Sequence, residues 1–300
     1  MKTAIQRGWY FLAASPPVVL VAVFIGFPIA VTVTYTLGHL GGANSAISSI
    51  ALHQVSSHGH LATFGAYSAV LTSHSFLEDL VATVWVTAAS VGLVLLLAWL
   101  VALYGRLADT RVARLLTSFA VVPLFIPVVI GSYAILQFWS YGGLVKTLAH
   151  AVGLPGFPAL GYTLGGVVLA EVWVSLPFAV LMIGSGLRSI PDSAFEAARD
   201  AGASVARAAW TVLLPMNLVP TIIATSFTGI SILGSFTVPY LVGPTSPNLL
   251  GPDAAQTFQS FNEPQQAEVI AMVIFALAIV VAVPYLWATY RSNNDAPSAA

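Results

Sequence analysis

The sequence predicts an all-α polytopic membrane protein with six transmembrane helices and both termini cytoplasmic. Three observations carry this. Of 300 residues, 58% are hydrophobic and only 7% are charged, where a soluble chain carries about 25% charged. Mean hydropathy is +0.89. The apolar residues form long continuous runs, which fit helices and not the alternating strands of a membrane barrel.

A span needs about 20 apolar residues to cross the hydrocarbon layer. Six runs meet that need: 9–37, 80–104, 115–139, 164–187, 216–242 and 267–290. The first follows Lys2 and Arg7 like a signal peptide, but it is long and lacks a small-residue cleavage site, so a retained helix is expected. Residues 38–79 turn to Gly, Ser, Asn and His and read as an extracytoplasmic loop. Residues 80–292 form a five-helix core, and 293–300 read as a disordered polar tail.

Positive residues set the orientation. Lys2 and Arg7, then Arg106, Arg111 and Arg114, then Arg188, Arg199 and Arg207, and finally Arg291 all fall on one side of six spans. Only Lys146 falls on the other. Prolines lie inside the apolar runs at 16, 17, 28, 123, 127, 177, 239 and 284. They read either as simple kinks or as helices bent around a cavity.

Composition excludes several functions. A net charge of −1 gives no basis for nucleic-acid binding. With no cysteine, disulfides, thiolate metal sites and cysteine nucleophiles are ruled out. His58-Gly-His60 has no carboxylate or cysteine beside it before Glu78 and reads as exposed loop histidines, so no metal site is expected. No cluster of His, Asp or Glu suggests catalysis. A gradient-driven secondary transporter stays as the alternative from a different class, although such proteins usually have more spans and more ionisable groups in the core than Glu171 alone.

The loop 188–215 is the most informative segment. Pro191 suits a first helical turn, and Ser193 with Glu196 has capping-box spacing. Ala197, Ala198 and Ala201 favour helix, Gly202 suits a left-handed terminus, and Ser204 can cap a second helix. A helix, a tight turn and a second short helix are expected. The amphipathic helix lies either on the bilayer surface or against a partner.

Glu196-Ala197-Ala198, Gly202 four residues on, then Val212, Leu214 and Pro215 reproduce a known spacing. It resembles the signature loop of permeases of type I ABC importers, with Val212 where those usually have Ile. The flanks Leu187-Arg-Ser-Ile-Pro-Asp192 and Ser235-Phe-Thr-Val-Pro-Tyr240 look similar as well. The resemblance implies a translocation subunit in a bacterial inner membrane. Phe195, Glu196, Ala197, Ala198, Gly202, Leu214 and Pro215 would couple it to a cytoplasmic ATPase dimer. That dimer would bind ATP and Mg, because this chain has no phosphate-binding Gly-rich loop ending in Lys-Ser/Thr. Further expected partners are a second permease, a paralogue rather than an identical copy, and an extracytoplasmic solute-binding protein.

For the solute pathway the candidates are Glu171, Trp173, Ser231 and Ser235. Glu171 is the one carboxylate well inside a span, and it either meets solute or bonds a neighbouring helix. Glu171-Val-Trp173 resembles a sugar-type pattern. The hydroxyls of Ser226, Thr228, Ser231, Ser235 and Thr237 either face solute or join helices. Ala201 before the motif glycine, with Asp200 one earlier, looks like polyamine-, iron- and thiamine-type permeases. A polyamine-like solute is therefore expected, with sugars or sugar phosphates as the alternative.

Overall fold

A computed structural model describes residues 15–108 and 110–295 and is all-helical over them, with no strand among the described residues. In chain order, the helices used below are α1 Ser15–Thr36, α2 His74–Leu107, α3 Arg111–Val121, α4 Val128–Trp139 and α5 Leu164–Ser189. They continue as α6 Asp192–Asp200, α7 Val205–Met216, α8 Leu218–Leu233, α9 Thr237–Val242, α10 Leu250–Gln259 and α11 Pro264–Asp295. Among the described residues, five helical stretches are long and apolar enough to cross a membrane. A sixth is obtained if α7 and α8, bent by 70°, count as one span. The start of the first expected run and the end of the expected tail lie outside the described residues, and α11 continues to Asp295.

Two of the expected spans differ in detail. The run 115–139 is not one helix: α3 ends at Val121, a 3-10 turn covers Val122–Phe125, and α4 starts after Pro127. Pro123 and Pro127 supply no N–H and disfavour helix in the residue before each, so the ladder cannot run through. The run 216–242 also divides, into α8 and α9, with Gly234, Ser235 and Phe236 between them. Pro177 and Pro284, by contrast, sit within continuous helices.

The chain forms two compact units. One comprises the described residues up to Phe76 together with 253–273. Its centre is Gln265, which is fully buried. The Gln265 amide donates to the backbone oxygens of Tyr35 at 2.9 Å and Val55 at 3.0 Å. Its oxygen accepts from Val55 N–H at 2.8 Å. One side chain thus ties the end of α1 to the loop after it. Leu52 N–H donates to Asn262 oxygen at 2.7 Å, and His53 Nδ1 lies 2.7 Å from Glu263 Oε1.

The other unit comprises the described residues of 77–252 and those from Ile274 onward. Its core gathers around α5, where Val167, Ala170, Ala179, Ile183 and Leu187 are fully buried. In α5, 61% of the most apolar window is buried, against 6% in α1. The exposed apolar residues of α1 are what a hydrocarbon environment, not water, would accept. Asp79 accepts from Asn248 N–H at 2.7 Å, and Thr83 Oγ1 accepts from Leu250 N–H at 2.9 Å. Two residues of α2 therefore supply acceptors to the chain entering α10.

Gln265→Leu keeps the bulk but removes the side-chain partner of both backbone groups of half-buried Val55, while Tyr35 oxygen keeps Gly38 N–H. An unsatisfied buried group costs about 1–3 kcal/mol. The expected outcome is hydrogen exchange at Val55 faster by about a hundredfold in the variant, read by mass spectrometry on the purified protein.

Candidate functional site: the loop after α5 and the cavity between α5 and α8

The loop helix begins two residues earlier than the capping-box spacing suggests. Pro191 is the N-cap, Asp192 opens α6, and Ser193 lies inside the first turn with no capping bond. Asp192 is the favoured charge type at a helix start. The reason for this start lies outside the loop. The Arg106 guanidinium, at the end of α2, pairs with Asp192 and also donates to Leu187 oxygen at 3.2 Å and Ile190 oxygen at 3.3 Å.

The other end of α6 closes by backbone bonds, and the Arg199 guanidinium adds a bond to Ala203 oxygen at 2.8 Å. Gly202 N–H donates to Arg199 oxygen at 2.9 Å and Ala203 N–H to Ala198 oxygen at 3.1 Å. This pair is the Schellman pattern, and it puts Gly202 at φ +88°. Space around Gly202 is open, so the backbone angle, not crowding, demands glycine. Ser204 then caps α7, accepting from Arg207 N–H.

The side chains of α6 divide between two faces. Ala194 and Phe195 pack against the chain's own core. Glu196 and Ala197 are exposed and Ala198 is half-buried. Of the residues proposed from sequence, Glu196, Ala197 and Ala198 therefore offer an outward surface. Phe195 anchors it from behind. Leu214 is half-buried and Pro215 exposed near the end of α7. After them comes Asn217, fully buried at the 70° bend into α8. Its amide donates to Ile183 oxygen in α5 at 3.1 Å. Gly186 leaves room for that side chain; a Cβ there would collide with it.

Within the spans, Glu171 is 2% exposed. The Ser235 side chain lies beside its carboxylate, while Oε1 has no partner. Glu171 and Ser235 are thus brought together, across α5 and the break after α8. Trp173 points elsewhere, as residues two apart on a helix must. Its ring covers Gly131 of α4 so closely that a Cβ there would collide with it. Ser231 lines a separate cavity of about 240 Å³ with Val174, Ser175, Phe178, Phe227 and Thr228. Phe178 and Phe227 lie 5.8 Å apart, and Phe227 meets Tyr285 edge-on at 5.4 Å. Sequence reading missed Ser175, Phe178 and Phe227. Their one signal was position: Ser175 follows Glu171 by one helical turn.

Residues 94–292 match the family described as binding-protein-dependent transport system inner membrane component. The chain belongs to that family. This inner-membrane transport component is 30% identical over 173 residues to the sulfoquinovosyl glycerol transport system permease protein of Agrobacterium fabrum. The match covers 55% of this chain and 56% of that one. It is 28% identical over 170 residues to the xylose/arabinose import permease protein of Haloferax volcanii, covering 53% and 54%. The chain therefore spans about half the length of these two relatives. It is also 30% identical over 228 residues to the trehalose transport system permease protein of Mycobacterium tuberculosis, covering 73% and 71%. In fold it resembles a chain of a bacterial ABC transporter involved in import of the acidic polysaccharide alginate. There the TM-score is 0.73 and the identity 16%, with 98% of each chain covered. The component is thus a multi-pass membrane protein of a transport family, and its loop and cavity both lie inside the matched region.

Two substitutions test the loop turn of this component. Gly202→Ala forces a side chain into the left-handed region at a cost of about 1 kcal/mol. Asn tolerates that region. Hydrogen exchange across α6 and its C-terminal turn is expected to speed up roughly fivefold in Gly202→Ala, and less in Gly202→Asn.

Proposed function

We propose that this chain is the permease subunit of an ATP-driven importer that takes up a carbohydrate-type solute. The observation that carries it is α6, a rigidly capped helix whose outer face ends in small alanines and one carboxylate, inside a matched transport family. Glu196, Ala197 and Ala198 form the docking face for the ATPase dimer, and the alanines allow close approach. Gly202 sets the turn, and Leu214 and Pro215 lead the chain back into the bilayer. ATP and Mg belong to the ATPase. A paralogous second permease completes the pathway, and a solute-binding protein delivers the solute. The location is the bacterial inner membrane, with the Arg-rich side and both termini cytoplasmic.

The sugar reading is better supported than the polyamine one. The named relatives include permeases for sulfoquinovosyl glycerol, xylose/arabinose and trehalose. Ser175, Thr228 and Ser231 supply hydroxyls beside the apolar rings of Phe178 and Phe227. This combination suits a polyhydroxylated neutral ligand, which needs hydrogen bonds and apolar faces together. A polyamine would call for an accessible carboxylate, and Glu171 is buried against Ser235. Ser231 lies on the proposed solute path, whereas Glu171, Ser235 and Trp173 shape the helices around it.

The test is purification of the complex on this chain, with its solute-binding protein added. An ATPase is expected to co-purify, with hydrolysis stimulated by trehalose and not by spermidine. In Glu196→Arg the stimulation is expected to fall by at least about tenfold, a loss within the range of coupling free energies. A preparation with no ATPase overturns the permease reading. Stimulation by spermidine alone overturns the sugar reading.

A further inference from the structure

The loop carries a feature that the docking surface does not explain. Arg106 sits in the last turn of α2, more than eighty residues before the loop, with its side chain 20% exposed. Its guanidinium meets two elements at once. Leu187 and Ile190 offer carbonyls at the end of α5, where the helix leaves oxygens without intrahelical partners. Asp192 offers a carboxylate at the start of α6. Only Ile190 and Pro191 separate the two helices. The cation complements the negative end of α5, and Asp192 complements the positive end of α6.

α6 has other attachments, but they lie further along it. Phe195 and Ala194 rest on the core, and α6 packs against the stretch Ala209–Leu213 of α7. The contact between α7 and α2 is incomplete, since an apolar crevice of about 350 Å³ lies between Trp99 and Leu103 on one side and Trp210 and Leu214 on the other. The first turn of α6 is fixed to α2 through Arg106. Lysine cannot replace it: a planar fork reaches separate acceptors in fixed directions, while an ammonium is a single point.

We infer that Arg106 is a positioning residue that locks α6 to the ends of α2 and α5, so that a force on the loop helix moves these spans as one body. The inference rests on the proposed docking role of α6. Without Arg106 the helix pivots at Ile190–Pro191, and motion of the loop is lost before it reaches the cavity at Ser231.

The chain has no cysteine, so introduced ones are its sole attachment points for labels. Spin labels at Leu100→Cys and Ala201→Cys report the distance from α2 to the end of α6, in the complex purified on this chain. Separately, maleimide labelling of Ser231→Cys is timed without nucleotide and after trapping with ATP and vanadate. With Arg106 present, the distance distribution is expected to be narrow and the same in both states, while the Ser231→Cys labelling rate changes on trapping. Arg106→Met is expected to broaden the distribution and cut the trapping-dependent change about tenfold. Arg106→Lys falls between. Asp192→Asn keeps an acceptor oxygen for Arg106 but loses the charge, and is expected to fall between the native chain and Arg106→Met, because Asp192 is the partner of Arg106 on α6. A narrow distribution or a full labelling response in Arg106→Met overturns the inference. If no ATPase co-purifies with the native chain, or trapping leaves Ser231→Cys labelling unchanged there, the permease reading fails instead. The nucleotide-free distances then still decide whether Arg106 holds the helix.

Discussion

Hydrocarbon offers no hydrogen bonds, so wherever a helix of this chain stops, the freed backbone groups need partners from the chain itself. Several departures from continuous helix in the described residues are closed this way. Gln265 pairs with both backbone groups of Val55 and with the oxygen of Tyr35. Asp79 and Thr83 accept from Asn248 and Leu250. Asn217 fills the bend between α7 and α8 by bonding Ile183. Arg106 takes up the oxygens at the end of α5. Few charged residues are present, and two of these four places use one. Sparse charge and long helices are thus two sides of one constraint.

The same constraint shapes the loop. A helix that must present a surface outward needs an anchor behind it, and here Phe195 and Ala194 supply it. The Schellman turn at Gly202 satisfies the last carbonyls without any side chain, which leaves Glu196 and the alanines free of structural duty. α6 is therefore held at three points: a cation at its start, apolar contacts along its inner face, and a backbone turn at its end. Such a helix can pass on a displacement instead of absorbing it.

Inside the spans, polar groups fall into two kinds. Glu171 with Ser235 and Trp173 against Gly131 join helices to each other, α5 to the break after α8 and α5 to α4. Ser175, Thr228 and Ser231 instead line a cavity between α5 and α8. The loop leads to the same pair of helices, through Ile190 into α5 and through Asn217 into α8. Loop and cavity are thus linked by continuous helices, which is the physical basis for coupling one to the other.

The fold class was legible because hydropathy is a local property that adds up along each run. The loop motif was legible for a similar reason: its helix, its glycine turn and its Ser204 cap are all set within a dozen residues. The breaks at Pro123 and Pro127 were harder to read. An apolar run reports only that lipid or protein surrounds it, not that its ladder is continuous. Sequence alone also could not show that Arg106 reaches Leu187, Ile190 and Asp192, or that Asn217 reaches Ile183. Charge counting gave Arg106 a side of the membrane and nothing more. Nor could it tell that Glu171 faces Ser235 while Trp173, two residues on, covers Gly131. The sequence by itself determined the helical class, the number of apolar stretches to within the bent pair, and the loop's helix–turn–helix pattern, because each depends on neighbours in the chain. Tertiary structure decided which polar side chains close helix ends and which line a cavity, because those partners lie tens of residues away and meet only once the helices pack.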